Sequence, residues 1–301
     1  KRLSHFLLII AGISFLFQSG CKDPEEAIPS YLYIPSIDLE VNEDGSEGAS
    51  SHEIVDAWVY VGSDFMGVFE MPVTIPVLVS GKKDVTVLAG IKRNGISSDR
   101  EIYPFYRGYS VEMELIPSKV DTLRPVVEYR EDIKFVWMED FEDNTLSLEG
   151  SGSNTTTDSL FITDDAEDVF EYDGVANRYS GKVIMPKGLQ IFENRSVDLF
   201  DFPRSGQEIF LELNFKCNTE FIVGLYPFNN TIINGLPVVN LFSTEDSEGV
   251  MQWKKVYVSF KEDVNSARNI GADFKVFFNT QTNVSEGEPQ IVLDNIKLLH
   301  F

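Results

Sequence analysis

Short apolar runs punctuated by turn residues recur along most of this chain. VDAWVYVGSDFMGVFEMP, VTIPVLVSGKKDVTVLAG, YSVEMELIP and VVEYR stand in the first half, and LELNFKCNTEFIVGL, MQWKKVYVSF and ADFKVFFNT in the second. Apolar and polar positions alternate within these runs, and Val, Ile, Phe and Tyr fill the apolar ones. That pattern predicts strands with one buried face. An aromatic share of 12%, with 23 Phe and 11 Tyr, reinforces an all-β fold. At 301 residues and 43% hydrophobic, the chain is long and apolar enough for two cores, hence two β-sandwich domains. YLYIPSIDLEV predicts a first strand, and residues 42–53, NEDGSEGASSHE, lack an apolar period and predict a loop. SGKK, between Val79 and Asp84, predicts a hairpin in which Gly81 takes a positive φ. In LELNFKCNTEFIVGL, Leu211, Leu213, Phe215, Cys217, Phe221 and Val223 share a face, while Glu212, Asn214, Lys216 and Asn218 take the other. Cys217 is thereby predicted to be a small core residue rather than a reactive thiol.

The formal charge is −23, and −25 once residues 1–20, which hold Lys1 and Arg2 but no acid, are set aside. Basic residues cluster no further than pairs such as Lys82 with Lys83 and Lys254 with Lys255. Nucleic acid, whose phosphates require clustered cations, is excluded as a partner.

Residues 6–17 are almost unbroken apolar sequence, preceded by Lys1 and Arg2 and followed by QSGC. A twelve-residue run is too short to span a bilayer, which takes about 20 apolar residues, and fits a signal peptide. QSGC resembles the lipobox of bacterial lipoproteins, with Ser19 and Gly20 as the small residues and Gln18 where that family usually has Leu. The resemblance implies that Cys21 is acylated and becomes the mature N-terminus, held on the membrane by its acyl chains. KDPEE, which follows, is similar to the export signal of Bacteroidota lipoproteins and implies display on the cell surface from the outer membrane. Cys217 is then left without an intrachain disulfide partner.

AWVYVGSDFMGVFEMPVTIPVLVSGKKDVTVLAG resembles β modules of the PEGA and carboxypeptidase-regulatory-like type, implying an Ig-like N-terminal sandwich that acts as a spacer. From Ile133 onward, an opening strand ending in DFED and a closing strand VLDNIKL resemble the jelly rolls of carbohydrate-binding modules. The organisation implied is a signal peptide over 1–20, a tether over 21–30, an N-terminal β-sandwich over 31–132 and a C-terminal jelly roll over 133–301. In such jelly rolls an acid of the first strand and one of the last share a structural calcium ion, which implies Glu142 and Asp294 as metal ligands here. Strict alternation in VLDNIKL places Asp294 on the face of Val292, Ile296 and Leu298, where a carboxylate needs a partner; capping of a turn by Asp294 is the alternative.

Catalytic motifs are not apparent. His52 lies in the acidic loop and His300 beside the terminal Phe301, no GxSxG occurs, and no glycine-rich phosphate loop is present. Sugar binding draws on aromatic rings flanked by amides and acids. GLYPFNNTIING offers Tyr226, Phe228, Asn229 and Asn230, expected in a loop, where packing over the core is the competing role. YPFYRGY, with Tyr103, Phe105, Tyr106 and Tyr109, is a second candidate whose competing role is edge-strand packing, and Trp253 is expected to pack at the core or its rim. DTL at Asp121 and DSL at Asp158 resemble Bacteroidota O-glycosylation motifs and implicate Thr122 and Ser159. The function expected is a membrane-anchored, non-enzymatic binding module for glycans. The alternatives are a scaffold subunit that docks other envelope proteins and a small glycoside-active enzyme.

Overall fold

The computed structural model describes residues 28–143, 145–150, 160–229, 234–285 and 287–301, which form an all-β chain of two packed sandwiches. In the C-terminal half the last strand, Gln290–His300, is central. Lys134–Glu139 and Ser180–Ile184 pair in tandem along one edge and Ile209–Cys217 along the other, and Phe161–Thr163 and Lys254–Ser259 complete a six-stranded antiparallel sheet. Opposite lies a five-stranded sheet in the order Leu148–Gly150, Gly188–Ser196, Asp273–Val284, Phe221–Phe228, Leu236–Leu241. The alternation read from LELNFKC decides the core: Leu211, Leu213, Phe215 and Cys217 face Phe221, Val223, Leu225 and Phe278 across the jelly roll. Cys217 is fully buried, and burial pushes its thiol up to about 11.

The N-terminal half is built on the long strand Gly81–Lys92, which pairs Asp56–Val61 on one edge and Tyr109–Leu115 and Arg100–Ile102 on the other; Asp64–Glu70 lies outermost. A three-stranded sheet of Val73–Val77, Ser30–Ile34 and Val120–Thr122 opposes it. Two expectations are corrected. The first predicted strand is broken at Pro35 into Ser30–Ile34 and Asp38–Glu40, because proline has no N–H for a ladder. SGKK is not a hairpin: Val73–Val77 pairs with Ser30–Ile34, while Gly81–Lys92 belongs to the other sheet. Successive runs with one apolar face can stack across a core as readily as pair edge to edge, and their alternation is the same in both cases. The hairpin is one run earlier, where Gly62, at φ 61°, and Ser63 join Asp56–Val61 to Asp64–Glu70.

The outer face of the six-stranded sheet is covered partly by the N-terminal half and partly by residues 167–180, so every residue of Ile209–Cys217 is buried. Phe210, Tyr257 and Leu299 project into the N-terminal core beside Tyr103, Phe105, Tyr106 and Tyr129. Three of the aromatics of YPFYRGY therefore serve the joint between the sandwiches and are closed to a ligand. At the centre of the joint Glu212 is fully buried. Its Oε1 accepts hydrogen bonds from the hydroxyls of Tyr103 and Tyr129, each at 2.8 Å, and its Oε2 is 2.6 Å from the Lys255 ammonium. Lys255 also donates to the Ser51 carbonyl at 2.8 Å, and Lys297 donates to the Ala49 carbonyl at 2.6 Å. The predicted acidic loop is a loop, and its far end closes this joint. Burial alone would raise the Glu212 carboxyl, but Lys255 and Lys297 reverse it and hold it below its usual range. Burial, with Lys255 adding to it, lowers Lys297 to about 7.

Removing one member of a buried ion pair strands the other. Glu212→Ala leaves Lys255 and two tyrosine hydroxyls unmet and is expected to cost about 3–5 kcal/mol in urea unfolding. A loss under roughly 1 kcal/mol would show that the tyrosines and lysines find other partners.

Candidate functional site on the outer face of the five-stranded sheet

Pairing register assembles a polar and aromatic surface that no single stretch of sequence displays. Arg195, Phe277 and Gly224 lie in one row across three strands, and Glu193, Asn279 and Ile222 in the next. Tyr226 and Phe228, expected in a loop, stand instead at the end of the strand Phe221–Phe228, with exposed Asn229 just beyond; Asn230 lies outside the described residues. The Tyr226 ring packs on Phe277 at a centroid distance of 4.6 Å. Glycines make this possible. A Cβ on Gly224 would meet Phe277 Cζ at 2.5 Å, and one on Gly235 would meet Tyr226 Cε1 at 2.9 Å. Phe277 is thus a buried underlay and Tyr226 the half-exposed ring above it.

Tyr226 donates its hydroxyl to Glu193 Oε2 at 2.8 Å, and the same oxygen accepts the Asn279 amide at 3.2 Å. Burial, and then this hydrogen bond, raise the Tyr226 phenol well above its ordinary value, so it remains a donor. Beside it Glu149 accepts from Arg195 Nε at 3.1 Å and Lys275 Nζ at 2.8 Å; the Lys275 contact comes first among the causes that hold its carboxyl below the usual range. A half-exposed ring bordered by a carboxylate, an amide and a guanidinium offers an apolar stacking surface and both hydrogen-bonding polarities. Alternation along QIFENRS and FKVFFNT marks Glu193, Arg195, Lys275 and Asn279 as outward. Only the register, fixed by pairing between distant strands, shows that they meet Tyr226.

Asp294 lies elsewhere, on the outer face of the other sheet. A bulge at Asn295, whose φ is 47°, shifts the register of Gln290–His300 against Ile209–Cys217. Ile291 and Leu293 precede it on the core face, and Ile296 and Leu298 follow it there. The expected sharing of a face by Asp294, Ile296 and Leu298 is therefore corrected, since an extra residue inverts the alternation. Asp294 is fully buried under residues 177–180. Its carboxylate accepts from the Asn177 amide at 2.9 Å, the Ser180 hydroxyl at 2.5 Å and the Asn295 N–H at 2.7 Å. Glu142 reaches the same segment, where its Oε1 accepts the N–H groups of Arg178 and Tyr179 at 2.7 and 3.0 Å. Among the described residues no cationic side chain pairs with Asp294, and burial pushes its carboxyl up to about 8. Were a calcium ion held by Asp294, the side-chain oxygens on or against the same segment would be those of Asn177, Ser180 and Glu142; among the described residues no group of three or more acidic, histidine or cysteine side chains is placed to hold a metal. The Asp294 lone pairs are occupied here by N–H and O–H donors, which would have to turn aside for the ion.

The remaining candidates are dispersed. Thr122 is exposed on Val120–Thr122, an edge strand of the three-stranded sheet. Ser159 and Cys21 lie outside the described residues. His52 is packed against Tyr172, with burial lowering it to about 4, and His300 is buried at the end of the last strand.

No protein-family profile matches the chain, and no curated protein does. Solved structures similar in strand layout include one described for the promiscuous specificity of carbohydrate-binding modules of the β-sandwich superfamily, at 16% identity and TM-score 0.38 over 91% of this chain and 99% of that one. A family 11 carbohydrate-binding module from a Clostridium thermocellum cellulosomal cellulase aligns at 12% identity and TM-score 0.36, covering 55% and 93% of the two chains. A carbohydrate-binding module described for specific mannan recognition aligns at 14% and 0.30, covering 56% and 98%. Similarity at this level transfers no functional residue, and the reading of the face rests on its own side chains.

The Asp294 carboxyl yields a signed prediction. Its folded value, about 8, exceeds the ordinary value of 3.8, so its contribution is full at acid pH and is lost as pH rises toward 8. In chelator, this component of the fall in melting temperature between pH 5 and pH 8.5 should be absent from Asp294→Asn. A calcium ion bound to the ionised group would raise the melting temperature at pH 8.5 in the wild type but not in the variant. Equal pH dependence in both proteins would contradict the burial argument, and no calcium shift would leave the hydrogen-bonded cap as the whole role of Asp294.

Proposed function

We propose that the outer face of the five-stranded sheet binds glycans and that the chain is a non-enzymatic binding component. The observation that carries this reading is the Tyr226 ring, held on Phe277 and Gly235 and tied to Glu193, with Asn279 and Arg195 in adjoining rows. A sugar presents C–H bonds on its flat face and hydroxyls around its edge. The first suit the ring, and the second donate to Glu193 and accept from Arg195. Tyr226 and Glu193 are already locked by their mutual hydrogen bond, which reduces the ordering cost of binding.

The same proposal places the chain on a membrane. Support comes from QSGC after the short apolar run, with Cys21 as the acylated residue, and from KDPEE as a signal for the outer face of the outer membrane.

A glycan array probed with residues 23–301 should give reproducible hits, and Tyr226→Ala should weaken them tenfold or more, about 1.4 kcal/mol. Tyr226→Phe, which keeps the ring and loses the tie to Glu193, should fall between. An empty array together with capture of one envelope protein would favour the scaffold reading, and hits unchanged in Tyr226→Ala would move the site off this face. For anchoring, Cys21→Ala should abolish acyl labelling and release the chain from membranes; labelled, membrane-bound mutant protein would refute it.

A further inference from the structure

A second concave site lies where the two sandwiches meet, away from the sheet face just described. The cleft encloses about 910 Å³ and is walled on one side by the turn at residues 94–97 and on the other by residues 238–243, with the strand Lys254–Ser259 as its floor. This volume lies within the range of small-ligand sites, about 300–1,000 Å³. The wall at the turn is fixed. The N–H of Asn94 donates to the Tyr257 carbonyl at 2.8 Å, the Asn94 side-chain oxygen accepts the Ser259 N–H at 2.9 Å, and Arg93 pairs with Asp99 at 2.9 Å across the turn.

The lining has a definite chemistry. Trp253 is half-buried at the cleft, in contact with the edge-on ring of Phe170 at 5.2 Å and the Lys216 ammonium, also at 5.2 Å. Phe242 and Ile96 line the same cleft at 67% and 48% exposure, unusually open for residues of their type. Lys92 and Lys254 line it too, and among the described residues neither makes an ion pair. Lys255, by contrast, is committed to Glu212. The chain carries 48 acidic residues against 25 basic ones, so two unpaired ammonium groups beside exposed rings are contrary to the surrounding field. Glu53 is the lone carboxylate among the lining residues.

We propose that this cleft binds an acidic oligosaccharide, a glycan whose sugar rings carry carboxylates. Trp253 and Phe242 receive the C–H faces of the rings, and Lys92 and Lys254 pair with the carboxylates. A neutral glycan or a purely apolar ligand would leave both ammonium groups unanswered. Nucleic acid needs cations clustered along its backbone, and two unpaired lysines do not supply them.

The test is calorimetric titration of residues 23–301 with tetragalacturonate and with its neutral methyl ester, which has the same rings and linkages without the charges. Tetragalacturonate should bind the wild type and weaken with added salt. Its affinity should fall at least tenfold in the double variant Lys92→Ala, Lys254→Ala and in Phe242→Ala, whose side chain is exposed enough to be removed without unfolding the protein. Binding should persist in Tyr226→Ala. No tetragalacturonate binding at millimolar concentration, equal affinity for the neutral tetramer, or insensitivity to the lysine pair would each overturn the proposal. Loss of binding in Tyr226→Ala would assign the acidic sugar to the sheet face and overturn it as well. Tetragalacturonate binding with these lysine effects alongside an empty neutral array would retain this cleft and reject the sheet-face reading.

Discussion

Glu212 is fully buried between two sandwiches, so its charge must be met from within the fold. Lys255 stands at 2.6 Å, and two tyrosines from the other sandwich donate to the remaining oxygen. The C-terminal half supplies the acid and its lysine, and the N-terminal half supplies the hydroxyls and, through Ser51 and Ala49, the carbonyls that receive Lys255 and Lys297. Neither half satisfies these groups alone. A buried carboxylate left unmet is costly enough that the relative placement of the halves is specified, rather than merely permitted, by hydrophobic contact around it. The same docking covers part of the outer face of the six-stranded sheet, leaves the Tyr226 face of the five-stranded sheet open, and creates the cleft between the 94–97 turn and the 238–243 wall.

Much of the strand content and the jelly-roll core was legible from alternation. Leu211, Leu213, Phe215 and Cys217 face inward as their spacing requires. What alternation does not encode is the fate of the opposite face. Glu212, Asn214 and Lys216 have the pattern of a solvated strand surface, yet all are buried, because the partners that satisfy them lie between 43 and 163 residues away in sequence. YPFYRGY likewise has the composition of a sugar platform, and three of its rings are consumed by the joint. The bulge at Asn295 reverses alternation after Asp294 without a glycine or proline to announce it. The Tyr226 platform was visible only in part. Its ring stood out, but Glu193, Arg195, Phe277 and Asn279 come from two other strands, and long-range register alone brings them together.

The two carboxylates tied to residues 177–180 illustrate a related economy of form. Glu142 and Asp294, far apart in sequence, both hold this segment against the last strand by accepting its donors. The hydrogen bonds describe a complete cap. Without a cationic partner among the described residues, burial pushes the Asp294 carboxyl up to about 8. The sheet face, by contrast, is electrostatically settled: Glu149 is paired twice and Glu193 accepts two donors, so a ligand would meet an organised surface rather than create one.

The central claim is that the Glu212 network makes one cooperative body of two sandwiches. Differential scanning calorimetry of residues 23–301 tests it most directly. A single transition, with calorimetric and van't Hoff enthalpies equal, is the predicted result. Two resolved transitions, or a calorimetric enthalpy well above the van't Hoff value, would mean that the halves unfold independently, and that the joint and its cleft are incidental to the fold.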